Sequence, residues 1–466
     1  MDQKPITVVV DILEDRVNDL KDYLGKIGID IKKSQDIQFS TLKTLHYCCF
    51  IIIEDDQPPP GGAKAAPVLV FEANIDGKQK DFIADLIKQY PAFVHQVYSC
   101  CAGYSADGQK PADDRLAAFL LANDRGANAF YIGYPGQSRD ILEYQVNLRS
   151  TIESYIDANR DTLIKLPPAE IKKNIIGHVS STVPNYANTK PVKPSLLVSI
   201  GRKLAPYVPW VIAAVLLSVL VIAFFLLDDI GVMLILGSIA AFVVVLLCHE
   251  IADKQDGRVQ WDHTYLRDLQ DIENRQPQNH LSSIIYVKPG KFRLFTLKFV
   301  LAFIAVVAKL FATEGNLSGI VTIHFARWVI LPGKQPNERT RLLFFSNYDG
   351  SWENYLGEFI DHAAVGLTAV WSNTESNERA YGRPAGFPNT RLLGAVFDEN
   401  KKWTSIFPAG ARDEQRFKTF ARNSQRPESI WYCAYPDLSI KNVGNNLKIH
   451  EGLFGDTDVS AWLNRL

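Results

Sequence analysis

The spacing of apolar residues changes several times within the first hundred positions, and each change predicts a different element. Alternating or continuous apolar runs predict strands over residues 6–12, 42–53, 68–73 and 93–99. Between them, apolar residues recur at helical spacing over residues 15–27 and 82–90, which predicts two helices. The predicted order is βαββαβ, the split βαβ arrangement of ferredoxin-like units.

The same order can be predicted in the second half of the chain. Its strands are expected over residues 283–287, 320–331, 342–346 and 365–372, and its helices over 292–312 and 352–363. In the second strand of each half both alternating faces are largely apolar, so each sheet is expected to be covered on both sides. Helices would cover one side of each sheet, and we expect the two sheets to pack on each other as a pseudo-symmetric pair.

Two short repeats relate the halves directly. The segment TLHYCCFIII from Thr44 aligns with TIHFARWVIL from Thr322, which places His46 opposite His324. The segment VFEANIDG at 70–77 aligns with LFFSNYDG at 343–350, and so places Asn74 and Asp76 opposite Asn347 and Asp349. The fold class predicted is therefore α+β, built from tandem ferredoxin-like units that arose by internal duplication.

A strongly apolar region separates the two halves. Residues 208–227 contain no charge and are long enough to cross a membrane as a helix. Residues 232–248 are almost as apolar and follow after only four residues, so we predict an inserted two-helix transmembrane hairpin. The alternative is a pair of helices buried in the protein core.

Charges around the hairpin predict its orientation. Basic residues precede the first span, whereas Asp228 and Asp229 occupy the tip, so both soluble halves are expected in the cytoplasm. The N-terminus lacks the pattern of a secretory signal, and we expect a bacterial inner membrane protein. The helix predicted over 292–312 has Arg293 at its start and then a long apolar run in which Lys298 and Lys309 are the only charges, which favours a position in the membrane interface. The alternative is a helix buried within the protein.

These patterns divide the chain into five parts. They are a first ferredoxin-like unit (1–105), a helical extension with a Pro-containing linker (106–206), the hairpin (207–248), a second unit with its interfacial helix (249–380), and a C-terminal α/β extension (381–466). The 466 residues include 50 Lys and Arg against 51 Asp and Glu, a balance that argues against a nucleic-acid partner. The six cysteines lack metal-ligand spacing, and phosphate-binding loops and nucleophile elbows are absent from the sequence.

The candidate chemistry lies in the repeated segments of the second half. His324 and Arg327 are polar groups in an otherwise apolar strand, and such groups need partners when they are buried. Asp349 could supply one, and the three residues together could hold an anionic cofactor or move protons. The structural alternative is that Asp349 caps the helix that follows it and that His324 is a hydrogen-bonded core residue. Arg327 is the more unusual residue, because its counterpart in the first half is Cys49.

Paired βαββαβ units with a strand Arg and an Asp-Gly turn resemble the dimeric α/β-barrel superfamily, and within it the dye-decolorising peroxidases. The HFARW and NYDG segments are also similar to those of uncharacterised bacterial membrane proteins with peroxidase-like associations. The peroxidase resemblance implies haem in the C-terminal half, with a distal Asp from a GxxDG motif, a distal Arg and a proximal His as the iron ligand. In SNYDG, Asp349 matches the motif, although Ser346 stands where its first Gly belongs. Arg327 would stand for the distal Arg and His324 for the metal ligand.

Two functions follow as expectations. The first is a membrane-anchored, cytoplasmic-facing protein that binds an apolar ligand or a protein partner. The second is a peroxidase-like, haem-dependent enzyme that acts on a lipid or another apolar substrate at the membrane surface. Arg327, Asp349 and His324 are the candidate catalytic residues for the second function. The lipid bilayer is the partner expected for both.

Overall fold

The computed structural model describes residues 2–54, 63–105, 110–191, 200, 218, 229–252, 263–273, 277–310, 314–317, 319–380, 383–388, 410–455 and 458–466. Ten strands lie in these ranges: β1 Gln3–Asp11, β2 Leu45–Ile53, β3 Val68–Asp76, β4 Ala129–Ile132, β5 Gln278–Val287, β6 Ile323–Leu331, β7 Arg341–Asp349, β8 Thr374–Ala380, β9 Arg383–Gly386 and β10 Ile430–Cys433. The fold is α+β, as predicted.

Fourteen α-helices lie in the same ranges. They are α1 Val17–Ile29, α2 Gln79–Gln89, α3 Pro91–Tyr98, α4 Asp113–Ala122, α5 Arg139–Ala158, α6 Arg160–Leu163, α7 Pro168–Thr182, α8 Asp229–Ala252, α9 His263–Ile272, α10 Lys291–Leu310, α11 Trp352–Trp371, α12 Glu414–Ser424, α13 Ile440–Phe454 and α14 Val459–Leu463.

The strands form two antiparallel sheets. The first sheet has the order β1-β3-β2-β10, and the second has the order β4-β6-β7-β5-β8-β9. The central strands β1, β3 and β2 occupy the same relative positions as β5, β7 and β6. Gln3 lies opposite Asp76 in the first sheet, and Gln278 lies opposite Asp349 in the second.

Each half of the chain supplies an edge strand to the sheet of the other half. Strand β4 pairs with β6 of the second sheet, where Ala129 lies opposite Trp328. Strand β10 pairs with β2 of the first sheet, where Ile430 lies opposite Phe50. The exchange joins the two halves by backbone hydrogen bonds as well as by side-chain packing.

The two sheets pack face to face, as the apolar pattern predicts. Val9 and Ile51 of the first sheet lie in one buried cluster with Val329, Leu343 and Phe345 of the second. The opposite faces pack against helices. The first sheet is covered by α1, α2 and α3, and the second by α10, α11 and α12.

Two predicted strands are helices. Residues 93–99 belong largely to helix α3, which begins at Pro91 and buries Phe93, Val94 and Val97 on one face. The outer edge of β1 is instead covered by the loop after α4, where the Val9 amide donates to the Asn123 carbonyl. A short apolar run fits either a strand or a buried helix, and here the helix packs these residues into the core of the first half.

The predicted strand over 365–372 is the last part of helix α11. This helix continues past residue 363 to Trp371, with Leu367, Val370 and Trp371 buried at helical spacing. The strand beside β5 is β8, which begins at Thr374. Its sequence TESNERA is polar, so apolar alternation could not reveal it.

One described helix is long and apolar enough to cross a membrane. Met233–Glu250, within α8, is an almost fully exposed apolar segment. The other predicted span, 208–227, lies outside the described residues apart from Ser218. The two-helix hairpin therefore remains a prediction.

Helix α10 has two apolar faces. Leu297, Leu301 and Ala308 are buried against the second sheet and its helices. Phe295 and Phe299 are about three-fifths exposed, and Phe303, Val306 and Leu310 are also exposed. Complete burial of this helix within the protein, the alternative considered above, is therefore wrong.

Candidate functional site

His324 and Asp349 form a close pair beside the start of helix α13. His324 Nε2 lies 2.8 Å from Asp349 Oδ1, and Asp349 Oδ2 accepts a 2.7 Å hydrogen bond from the Ile440 backbone amide. Ile440 is the first residue of α13, so the carboxylate neutralises the positive end of that helix. The helix directly after Asp349 is capped instead by Ser351, so the predicted N-cap role of Asp349 for that helix is wrong.

The first half contains the same arrangement. His46 Nε2 lies 3.1 Å from Asp76 Oδ1, and Asp76 Oδ2 accepts a 2.8 Å hydrogen bond from the amide of Arg139, the first residue of α5. The geometry of these two atoms does not make a hydrogen bond, so they are in close contact only. His46 Nδ1 is also 2.8 Å from the Tyr435 hydroxyl. In both halves the pair fixes the start of the helix after the exchanged strand.

A bulge in each second strand sets the position of the histidine. The pairing shifts between Leu45 and Tyr47 in β2 and between Ile323 and Phe325 in β6. The extra residue is a histidine in both strands, and a bulge interrupts regular alternation. The His324 ring therefore lies 5.5 Å from the Tyr47 ring of the opposite sheet, and simple alternation could not place it there.

Arg327 reaches across the interface into the first sheet. Its Nη1 donates to the Ile6 carbonyl and to Thr7 Oγ1, at 2.6 and 3.1 Å. Its Nη2 donates to the Ala73 carbonyl at 2.8 Å and to Asn74 Oδ1. The same atom is 2.7 Å from Oε1 of a buried glutamate, Glu72.

Two opposing effects act on the pKa of the buried Arg327 guanidinium. Burial lowers the pKa of the guanidinium, and the Glu72 carboxylate opposes that effect. His324 pairs with Asp349 within its own sheet, whereas Arg327 pairs with the other half. The three predicted site residues therefore divide between two places, and both terminal nitrogens of Arg327 are engaged by the first half.

The Arg327–Glu72 pair borders a larger polar cluster between the sheets. Glu72 Oε2 is 3.7 Å from Cys49 Sγ and 4.0 Å from His280 Nε2, and Cys49 Sγ is 3.8 Å from His280 Nε2. On the far side of the imidazole, His280 Nδ1 is 2.8 Å from Glu428 Oε1. All three donor residues of the inner triangle, Cys49, Glu72 and His280, are buried.

Sequence reasoning did not find His280, Glu72 or Glu428. The one available signal for Glu72 is a carboxylate within the apolar segment VLVFEAN, because an acid inside a buried strand needs a partner. Cys49 stood out only as the counterpart of Arg327. The cluster itself depends on strands about 200 residues apart in the chain.

Asp349 is the predicted site residue nearest to solvent. Its side chain is 14% exposed and borders an open cleft beside α11 and α13. Charged residues from three helices line the cleft with it: Glu353, Glu358, Asp361, Lys418 and Lys441. By contrast, the apolar pocket between the second sheet and α11 and α12 measures only about 10 Å³. This volume is too small for a ligand larger than one water molecule.

The apolar helix α8 is joined to the core through helix α10. Glu250 Oε1 accepts a 2.7 Å hydrogen bond from Arg293 Nη1, and both side chains are buried. The His249 ring stacks on Phe292 at 4.8 Å, and the Phe242 ring lies 5.6 Å from the same residue. The exposed apolar surfaces of α8 and α10 therefore belong to adjacent helices.

Comparison of the chain with known protein families, with curated proteins and with solved structures finds no match.

Proposed function

We propose that this chain is a membrane-anchored protein that presents a duplicated α+β core at the cytoplasmic face and binds a ligand or protein partner there. The observation that carries the proposal is the apolar surface formed by α8 and α10. Met233 and Leu234 are 66% exposed, and Phe299 of the neighbouring helix is 62% exposed. Contiguous exposed apolar surface on two adjacent helices is typical of a membrane or protein interface.

The bilayer is the occupant that fits this surface best. The 18-residue helical segment Met233–Glu250, whose one acidic or basic residue is the terminal Glu250, matches the hydrocarbon thickness, and the aromatic face of α10 beside it suits the membrane interface. The buried Glu250–Arg293 pair joins the end of the span to α10, which packs against the second sheet. We propose residues 208–227 as the first arm of a hairpin, so that both halves lie on the same side of the membrane.

We further propose that the core consists of two ferredoxin-like units related by duplication. The matching strand orders, the bulged histidines and the two His–Asp pairs support this relation. The relation favours a structural role for His324 and Asp349, because in the first half His46 likewise lies against Asp76 and the Asp76 carboxylate likewise accepts from the first amide of a helix. The open charged cleft beside Asp349 is the proposed binding surface.

Membrane extraction tests the anchor. We expect the full-length protein to stay in the membrane fraction after alkaline carbonate treatment and to require detergent for release. A Val244→Lys variant places a charge in the span at a cost of about 3 kcal/mol, so a larger share should be released by carbonate. Ile29→Lys is the matched control, because Ile29 is an exposed apolar residue on α1. Equal release of wild type, variant and control by carbonate would contradict the proposal.

The haem-dependent alternative stays a prediction with its own test. A Soret band in the purified protein that changes in the His324→Ala variant would support it. If added haem contributes only the absorption of free haem, with no shifted Soret band, the haem-dependent function would be excluded and the binding function would remain.

A further inference from the structure

We propose that Cys49, Glu72 and His280 form a binding site for a divalent transition-metal ion, with zinc as the best fit, between the two sheets. Cys49 and Glu72 belong to the first sheet, and His280 belongs to the second. An ion at this site would join the two halves at their buried interface. The inference is independent of the proposed membrane function.

The distances between the three donor atoms suit a metal ion. Sγ, Oε2 and Nε2 form a triangle with sides of 3.7, 3.8 and 4.0 Å. The centre of such a triangle lies about 2.2 Å from each corner, and ligand distances to zinc are about 2.0–2.3 Å. An ion in the plane of the three atoms therefore fits as they stand, and a tetrahedral ion would need the donors to approach one another slightly.

Neighbouring side chains orient two of the three donors toward the centre. Glu428 Oε1 bonds to His280 Nδ1 at 2.8 Å and accepts a 2.7 Å hydrogen bond from Ser282 Oγ. The bond between Glu428 and His280 Nδ1 directs the lone pair of His280 Nε2 toward the triangle, as in carboxylate–histidine–zinc arrangements. Glu72 Oε1 is held by Asn74 Nδ2 at 3.0 Å and by Arg327 Nη2 at 2.7 Å, which leaves Oε2 directed to the same point.

The charges of the cluster also accommodate an ion. A divalent cation in the triangle would displace the thiol proton. The thiolate, the two carboxylates, the Arg327 guanidinium and the ion would then sum to zero charge.

The ligand types select among metals. A thiolate and an imidazole favour zinc and similar transition metals, whereas magnesium and calcium prefer oxygen ligands. Three protein ligands leave one position of a tetrahedral ion unfilled by the described residues, and a water molecule could occupy it. A cluster held by hydrogen bonds alone, in which the Cys49 thiol donates to Glu72 Oε2, needs no metal, and this is the alternative that the experiment must exclude.

The test uses full-length protein purified in detergent. Metal content is measured after incubation with zinc and desalting, and cobalt substitution reports a thiolate ligand through its sulfur-to-cobalt charge-transfer absorption. We expect one ion per chain in the wild type and loss of both signals in Cys49→Ser. Cys48→Ser is the matched control, because Cys48 is equally buried but packs on the helical side of the first sheet.

A second variant keeps the test interpretable if Cys49→Ser does not fold. Glu428→Gln leaves all three ligands in place but weakens the orientation of His280, and it should reduce zinc affinity about 10–100-fold. A chelator should lower the melting temperature of the wild type and of Cys48→Ser. Absence of metal and of the cobalt band in the folded wild type would overturn the proposal, as would a cobalt band unchanged in Cys49→Ser.

Discussion

Replacing Arg327 with methionine should destabilise the contact between the two halves. Arg327 and Glu72 are each 1% exposed, and the guanidinium also donates to two backbone carbonyls of the first sheet. Methionine has a similar length but cannot donate, so the variant leaves the Glu72 carboxylate buried without its cation. Breaking a buried ion pair in this way typically costs about 3–5 kcal/mol.

The expected loss is large enough to measure by thermal unfolding. At about 1 °C per kcal/mol for a chain of 466 residues, Arg327→Met should lower the melting temperature by about 3–5 °C. Circular dichroism of the detergent-solubilised protein in the presence of a chelator would report it. Arg149→Met is the control, because its i,i+4 pair with Glu153 is half exposed and contributes less than about 1 kcal/mol.

A double variant separates charge burial from lost packing. Adding Glu72→Gln to Arg327→Met removes the uncompensated carboxylate, so the double variant should be more stable than Arg327→Met alone. A melting temperature of Arg327→Met close to that of Arg149→Met would refute the reasoning. So would a Glu72→Gln change that lowers stability further in the Arg327→Met background.

Two further predictions concern packing and pH. In Gly28→Ala the new Cβ would overlap the backbone carbonyl of Ser429 just before β10, so thermal melts should show a loss of stability of about 1–3 kcal/mol. Gly25 lies on the same helix, and a Cβ added there meets no atom. Gly25→Ala should therefore be neutral or stabilising. Burial lowers the pKa of His450 from 6.5 to about 4 in the folded protein. As the pH drops from 6.5 to 4, the unfolded chain therefore binds a proton that the folded protein does not, and the free energy of unfolding should fall. His450→Gln should flatten that part of the stability profile, and an unchanged profile would rule out this source.

Local pattern was sufficient for the central elements of both halves. Strands β1, β2, β3, β6 and β7 and helices α1, α2 and α10 lie where apolar periodicity predicts them. Their side chains face a core on one or both sides, so burial imposes a period on the sequence. Repeated residues also revealed the equivalence of His46 with His324 and of Asp76 with Asp349, although not their contacts.

Periodicity was insufficient where a segment is short or polar. The apolar runs at 93–99 and 365–372 fit either a strand or a helix, and in the structure both lie largely within helices. Strand β8 is polar, and β4 and β10 contain four residues each. Nothing local to such a strand specifies which sheet it joins.

The sequence alone therefore determined the core elements and the apolar segment of α8, because each depends on residues close together in the chain. Only the tertiary structure decided the exchange of β4 and β10 between sheets and the engagement of Arg327 by the first half. Only the tertiary structure brings Cys49, Glu72 and His280 together. These features join residues more than 190 positions apart, and their pairing depends on how two sheets meet, which no short window of sequence records.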